Sequence, residues 1–118
     1  MPELPEVEAA RRLLAHWTVG RRILRVATPD EAVVREVLRA ALDGAAPAAP
    51  IRHGKRLGWA FDGPEGQTAL LVHLGMTGRW ARRTGEEPPR FGRLGLHMDD
   101  GSAVWFVDAR RFGCVAFT

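Results

Sequence analysis

The first part of the chain repeats apolar and charged positions at helical spacing. Apolar residues recur every three or four positions at Val7, Ala10, Leu13, Leu14 and Trp17. This period predicts an amphipathic helix from about Glu6 to Trp17, which Gly20 ends. Acidic residues crowd the start of this helix, where the helix dipole favours negative charge. A short strand is predicted next, from Ile23 to Val26.

A second helix is predicted after that strand. Thr28 is placed as the N-cap, Pro29 as the first helical residue and Glu31 as the partner that closes a capping box. The apolar side consists of Val33, Val34, Val37, Leu38 and Leu42. The helix is expected to run to about Leu42 and to stop at Gly44, because glycine commonly follows a helix end.

Beyond residue 56 the pattern changes to short apolar stretches separated by Gly, Pro and Asp, which is typical of β-strands and turns. The candidate strands are Leu57–Phe61, Thr68–Leu74, Gly78–Arg82, Arg93–Met98, Ala103–Asp108 and Gly113–Phe117. Residues 62–66 and 99–102 have the composition of hairpin turns. The predicted fold class is therefore α+β: an antiparallel β-sandwich of about eight short strands flanked by two helices, in one domain spanning residues 1–118.

Composition is that of an ordinary globular protein. The chain has 118 residues, 46% of them hydrophobic and 26% charged. No apolar run approaches the roughly 20 residues that cross a bilayer, and the opening residues do not have the pattern of a signal peptide. These features predict a cytoplasmic protein without a membrane partner.

The basic residues are almost all arginine: sixteen arginines accompany a single lysine, Lys55. The planar guanidinium suits phosphate recognition. A GC-rich genome would produce the same bias, so the composition leaves a nucleic-acid partner open. Cys114 is the single cysteine, and the spacing of the histidines His16, His53, His73 and His97 does not indicate a ligand cluster. Neither a disulfide nor a metal site within this chain is expected.

The opening residues carry possible chemistry. Proline behind the initiator methionine normally leads to methionine removal, which leaves a free secondary amine on Pro2. An α-amino group has a pKa of about 8, so much of it is neutral and nucleophilic at physiological pH. A helix that begins just after it would lower the pKa further. Glu3 stands beside it as a possible proton carrier. The alternative is that a Pro-Glu start only begins a helix.

Four motifs together resemble the formamidopyrimidine-DNA glycosylase family. They are residues 1–8 (MPELPEVE), 54–57 (GKRL), 73–78 (HLGMTG) and 108–113 (DARRFG). They stand in the family's order and at about its spacing, and they span nearly the whole chain. The Leu4-Pro5 start is similar to the formamidopyrimidine branch rather than to the endonuclease VIII branch.

The resemblance implies a role for each catalytic candidate. Pro2 is expected to be the nucleophile, Glu3 the proton shuttle that helps to open the deoxyribose, and Lys55 the contact to phosphates that flank the flipped nucleotide. Glu6 resembles a further acidic residue of the same pocket, although charge at a helix start explains it equally well.

The resemblance also implies a set of DNA-reading residues. Met76 is expected to fill the gap left by the extruded base, although most methionines are core filler. Phe112 is expected to be a wedge that kinks the duplex, and Arg110 the partner of the orphaned cytosine. Arg111 should point the other way in an extended segment. Extrusion needs such fillers because unstacking costs a few kcal/mol.

The sequence departs from the family pattern at two places. Ala109 stands where the family usually has proline, which would loosen the segment that carries Arg110 and Phe112. Residues 91–93 (FGR) occupy a stretch where a histidine-containing phosphate contact is expected. Arg93 is the candidate replacement, whereas Phe91 has no hydrogen-bond donor to offer.

The implied function is DNA base-excision repair by a bifunctional glycosylase and AP lyase, which acts on oxidised purines such as 8-oxoguanine and formamidopyrimidine. The expected partner is double-stranded DNA with a damaged base or an abasic site, bound by a monomer in the bacterial cytoplasm at the nucleoid. Family members continue into a helix–two-turn–helix domain and a zinc finger, which are not found in residues 1–118, so no cofactor is expected in this chain. An isolated domain or truncated product is therefore expected. The alternative function is a truncated DNA-binding module that keeps the fold without turnover.

Overall fold

A computed structural model describes residues 4–28, 42–63, 66–73, 78–85, 87–108 and 114–117. The elements in these ranges are α1 (Leu4–Thr18), β1 (Ile23–Ala27), β2 (Ala46–Pro47), β3 (Ile51–His53), β4 (Arg56–Gly63), β5 (Gly66–His73), β6 (Arg79–Thr84), β7 (Gly92–Met98), β8 (Ser102–Val107) and β9 (Cys114–Phe117). In the described part, no helix is long and apolar enough to cross a membrane.

Helix α1 begins two residues before its predicted start. Pro5 is accepted in the first turn because the missing N–H has no intrahelical partner there. Val7 and Leu14 are fully buried and form the inner side of the helix. At the other end, the Thr18 hydroxyl donates to the Leu14 carbonyl at 2.7 Å. Gly20 follows with φ 85°, so the predicted helix stop is confirmed.

The strands form two antiparallel sheets. One has the order β1-β7-β8-β6, and the other has the order β2-β4-β5-β9 with β3 also paired to β4. The predicted antiparallel sandwich is confirmed. The predicted second helix falls almost entirely on residues 29–41, which lie outside the described residues, so one helix is described where two were expected.

The space between the sheets is filled by aromatic and branched side chains. Trp59 packs against Phe61 of its own strand, with ring centroids 4.8 Å apart. It also meets Trp80 of the other sheet edge-on at 5.5 Å. The Trp59 indole N–H donates to the Ala48 carbonyl at 2.8 Å, so this central ring is satisfied on its polar edge as well.

A second buried cluster lies on the opposite face of the first sheet. Trp105 is fully buried there with Ala103 and Val107, while the alternate residues of β8 face the main core. The Trp105 ring lies directly over Gly95 of β7: a Cβ at Gly95 would stand 2.6 Å from two ring atoms. Only glycine permits so close an approach.

The turn between β7 and β8 closes one end of this sheet. The Asp100 carboxylate accepts hydrogen bonds from the Ser102 hydroxyl at 2.5 Å and from its backbone N–H at 2.9 Å. Arg21 contacts the same carboxylate at 2.8 Å. The Ser102 hydroxyl foremost, opposed by partial burial, holds the pKa of Asp100 below its ordinary value. This end is therefore fixed by polar contacts, and β7 runs from the other end of the sandwich toward it.

Candidate functional site

The strand register brings the ends of three strands together at one end of the five-stranded sheet. Arg56 of β4 pairs with His73 of β5, and His73 pairs with Cys114 of β9. The turn before Arg56 carries Lys55. Strand β5 ends there at His73, just before residues 74–77, and β9 begins there at Cys114, just after residues 109–113. The sites predicted around Lys55, Met76 and Arg110 thus adjoin neighbouring strand ends.

The four-stranded sheet contributes its ends at the same place. Val107, the last residue of β8, pairs with Arg79 at the start of β6 and with Gly92 at the start of β7. Residues 74–77 connect β5 to β6, and residues 109–113 connect β8 to β9, so both connections pass from one sheet to the other. We call this the loop end of the sandwich. Met76, Arg110 and Phe112 themselves lie outside the described residues.

The 109–113 segment starts from a fixed residue. Asp108 is fully buried, and its backbone N–H donates to the Phe91 carbonyl at 3.1 Å. The Asp108 carbonyl accepts a hydrogen bond from Arg93 Nε at 3.0 Å. Arg93 therefore supports Asp108, the residue from which this segment starts. The phosphate contact predicted for Arg93 stays a prediction. Sequence reasoning gave no sign of this supporting contact.

Phe91, whose carbonyl accepts the hydrogen bond from Asp108, has a solvent-exposed side chain. It is 41% exposed and has φ 61°, a left-handed conformation that bulky residues rarely adopt. Two guanidiniums flank its ring, Arg90 at 4.7 Å and Arg93 at 5.9 Å from the centroid. Gly92 follows in a tight turn, because its N–H donates to the Pro89 carbonyl at 3.0 Å. The loop end thus carries an aromatic ring set between positive charges.

Helix α1 reaches the loop end through a contact with β3. The Glu8 carboxylate lies 3.3 Å from Arg52 Nε, and β3 leads into the turn of Gly54 and the exposed Lys55. Pro2 and Glu3 lie outside the described residues and directly precede Leu4, where α1 begins. Glu6 is exposed in the first turn of the helix. The helix start and the Lys55 turn are thereby linked, while the roles predicted for Pro2, Glu3, Glu6 and Lys55 stay predictions.

Glu8 is held in its ionised form. Arg11 donates to it at 2.6 Å and Arg12 at 2.9 Å, both from the next turn of the helix. The hydrogen bonds from Arg11 foremost lower the pKa of Glu8 to about 2, although partial burial opposes the change. The same contact raises the pKa of Arg11. The spacing of Glu8 with Arg11 and Arg12 was readable in the sequence, whereas Arg52 was not.

The charge at the Lys55 turn is positive. Lys55 and Arg56 are both exposed there, beside Arg52, whose guanidinium contacts Glu8. Such a concentration attracts anionic ligands and suits phosphate groups in particular. Within the ranges that the structure describes, no three His, Cys, Asp or Glu side chains gather as metal ligands.

Comparison with known proteins shows a family relationship. Residues 1–115 match the family described as the formamidopyrimidine-DNA glycosylase N-terminal domain. The chain belongs to this family. The family resemblance read from the four motifs is therefore confirmed.

Full-length relatives extend well beyond the matched region. The formamidopyrimidine-DNA glycosylase of Mycobacteroides abscessus is 40% identical over 119 residues, which cover 96% of this chain and 41% of that protein. The one from Geobacter metallireducens is 39% identical over 122 residues, covering 100% of this chain and 44% of the relative. The chain thus spans less than half the length of these relatives.

Solved structures of family members superpose on the fold. Lactococcus lactis Fpg in complex with DNA that contains an abasic site matches with a TM-score of 0.86 and 28% identity, over 99% of this chain and 44% of that one. MutM in complex with DNA that contains carbocyclic 8-oxo-G matches with a TM-score of 0.85 and 29% identity, over 98% of this chain and 44% of that one.

Proposed function

We propose that this protein acts in DNA base-excision repair, as a glycosylase and AP lyase on oxidised purines such as 8-oxoguanine and formamidopyrimidine. The observation that supports the proposal is the strand register, which brings the Lys55 turn, the end of β5, the end of β8 and the start of β9 to one end of a fold shared with DNA-bound family members. The substrate is double-stranded DNA, bound by a monomer in the bacterial cytoplasm at the nucleoid.

The proposed chemistry begins at the N-terminal amine. The neutral Pro2 nitrogen attacks C1′ of the damaged nucleotide, the bond from C1′ to the base breaks, and the departing base takes up the proton that the Pro2 nitrogen gives up. The protonated Glu3 carboxyl then delivers its proton to the ring oxygen as the sugar opens. The resulting iminium acidifies the C2′ proton. The Glu3 carboxylate accepts this proton as the 3′ phosphate is expelled by elimination, which cuts the strand. Water then hydrolyses the iminium to the sugar aldehyde and frees the Pro2 amine. No metal or redox cofactor is needed for these steps.

Positioning falls to the positive and apolar side chains of the loop end. Lys55 holds phosphates that flank the reacting nucleotide, since a compact ammonium with three donors suits bridging phosphate oxygens. Met76 and Phe112 occupy the space that an extruded base leaves, and Arg110 bonds to the orphaned cytosine. Glu6 and Arg93 are further contacts of the same site.

Strand cleavage tests the proposal. The substrates are a duplex with one 8-oxoguanine opposite cytosine and a duplex with one abasic site, and the products are separated on a denaturing gel. We expect cleavage at the lesion by the wild type and a large loss of it in Glu3→Gln. Binding to both duplexes without any cleavage would instead identify a non-catalytic DNA-binding module.

A further inference from the structure

One carboxylate near the start of α1 collects three guanidiniums from two different elements. Arg11 and Arg12 approach Glu8 from the helix itself, at 2.6 and 2.9 Å. Arg52 approaches from β3, 44 residues further along the chain, with Nε 3.3 Å from Glu8 Oε1. The first two contacts are local to the helix, whereas the third joins separate parts of the fold.

The Arg52 side chain also contacts the turn that carries Lys55. Its Nη1 donates to the Gly54 carbonyl at 3.5 Å, at the long end of hydrogen bonding. Gly54 has φ 61° and is followed at once by Lys55. One planar guanidinium therefore connects the helix carboxylate to the backbone of the turn. A planar fork with several donors is suited to such a bridge.

The turn joins β3 to β4, and the two strands pair in register from Ile51–Gly58 to His53–Arg56. Strand β3 has three residues, all exposed, and it pairs with β4 beside the main strand order of its sheet. A short exposed strand of this kind is a low-stability element that opens readily. The Glu8–Arg52 contact is thus a direct side-chain link between this hairpin and α1, in addition to the close approach of the helix to β3, β4 and β6.

We propose that Glu8 is a positioning residue: through Arg52 it holds the Lys55 turn at a fixed place relative to the start of α1. This inference rests on the proposed function, in which the amine before α1 and the ammonium of Lys55 act on the same nucleotide. Reacting groups must be placed to within about 1 Å, and even small displacements reduce the rate. Exposed ion pairs add little to the free energy of unfolding. Removing the Glu8–Arg52 contact is therefore expected to change the placement of Lys55 rather than to unfold the protein.

The experiment combines Lys55→Ala with variants of the Glu8 contacts in double-mutant cycles. The quantity measured is the slope of log affinity against log salt for binding to a duplex that contains an abasic site. Removing one phosphate contact lowers the slope of log affinity against log salt by about 0.9. We expect the slope to fall by this amount when Lys55→Ala is introduced into the otherwise wild-type protein. In Arg52→Ala, Lys55→Ala should lower the slope by less than half as much, because the lysine is no longer held against the phosphate.

Arg12→Ala is the matched control. It also removes one arginine from Glu8 and one positive charge, but its contact lies within the helix. Lys55→Ala should keep its full effect in that variant. Glu8→Gln, which keeps the side-chain shape, should reproduce Arg52→Ala, and Arg52→Lys should restore part of the Lys55 effect. Melting curves should show every variant folded at the temperature of the binding assay, with at most the small loss of stability that removing an exposed ion pair causes.

A full Lys55 effect in Arg52→Ala, or equal behaviour of Arg52→Ala and Arg12→Ala, would overturn the inference. An unchanged slope when Lys55→Ala alone is introduced into the wild-type protein would overturn it too, since there would be no phosphate contact to position. If the protein does not cleave DNA but the Lys55→Ala effect still depends on Arg52, the proposed enzymatic function is refuted and the positioning role of Glu8 stands.

Discussion

Replacing Gly95 by alanine should destabilise the protein through a single added methyl group. The Cβ would stand 2.6 Å from Cε2 and Cζ2 of Trp105, against the 3.4–4 Å of ordinary contact. The ring would have to move by about 0.8 Å, the difference between these distances. Trp105 is fully buried, so neighbouring side chains would have to move with it.

The magnitude follows from the cost of overpacking a core. Adding a methyl group to a filled site costs about 1–3 kcal/mol, and the value here should lie toward the upper end because the obstacle is a rigid ring. For a chain of this size we expect a fall in the melting temperature of roughly 5–15 °C. Thermal unfolding followed by circular dichroism measures it.

Gly58→Ala is the matched control. Gly58 lies within a strand as well, and the nearest atom to its added Cβ would be the Ile51 carbonyl oxygen at 4.0 Å. Alanine in this open position should leave stability unchanged or raise it by about 0.5–1 kcal/mol, because glycine loses more backbone freedom on folding. A Gly95→Ala variant that melts together with Gly58→Ala would refute the close packing of Trp105 on β7.

Three further predictions concern the site. Lys55→Ala should lower the salt slope of DNA binding by about 0.9, so that its affinity relative to wild type changes about 3.5-fold between 50 and 200 mM salt; an unchanged ratio argues against the phosphate contact. Because the pKa of Glu8 is lowered from 4.5 to about 2, its ion pairs stabilise the fold above pH 4.5, and this contribution disappears as the pH falls toward 2. The difference in melting temperature between wild type and Glu8→Gln should therefore vanish near pH 2, and a constant difference would contradict the lowered pKa. Phe112→Ala should impair action on stacked duplex DNA and spare an abasic site in single-stranded DNA; equal loss on both substrates would make Phe112 a packing residue.

Periodicity predicted the parts of the fold that bury a regular apolar pattern. The helix and most of the strands were anticipated to within a few residues, because burial on one face imposes a repeat on the sequence. Strands β2 and β3 were missed. They have two and three residues, one of them Pro47, and their pairing with β4 rather than any pattern of their own makes them strands.

The site was predictable only where a motif or a local spacing carried it. Glu8, Arg11 and Arg12 stand at helical spacing, so their ion pairs could be read from the sequence. The Glu8–Arg52 contact depends on how the helix meets β3, and nothing in the spacing of the two residues indicates it. The left-handed conformation of Phe91 was equally hidden, because the sequence places no glycine or asparagine there to mark it.

The central claim is that the N-terminal amine performs the chemistry, and borohydride trapping on abasic duplex DNA tests it most directly. Once Met1 has been removed from the 118 residues, the rest contain just two amines, the Pro2 nitrogen and Lys55 Nζ. Digestion of the trapped complex and mass spectrometry therefore assign the adduct to one or the other.

The account predicts an adduct on the peptide that begins with Pro2, and far less of it when Met1 is retained, because the Pro2 nitrogen is then an amide. An adduct on Lys55, or equal trapping by the form that keeps Met1, would contradict it.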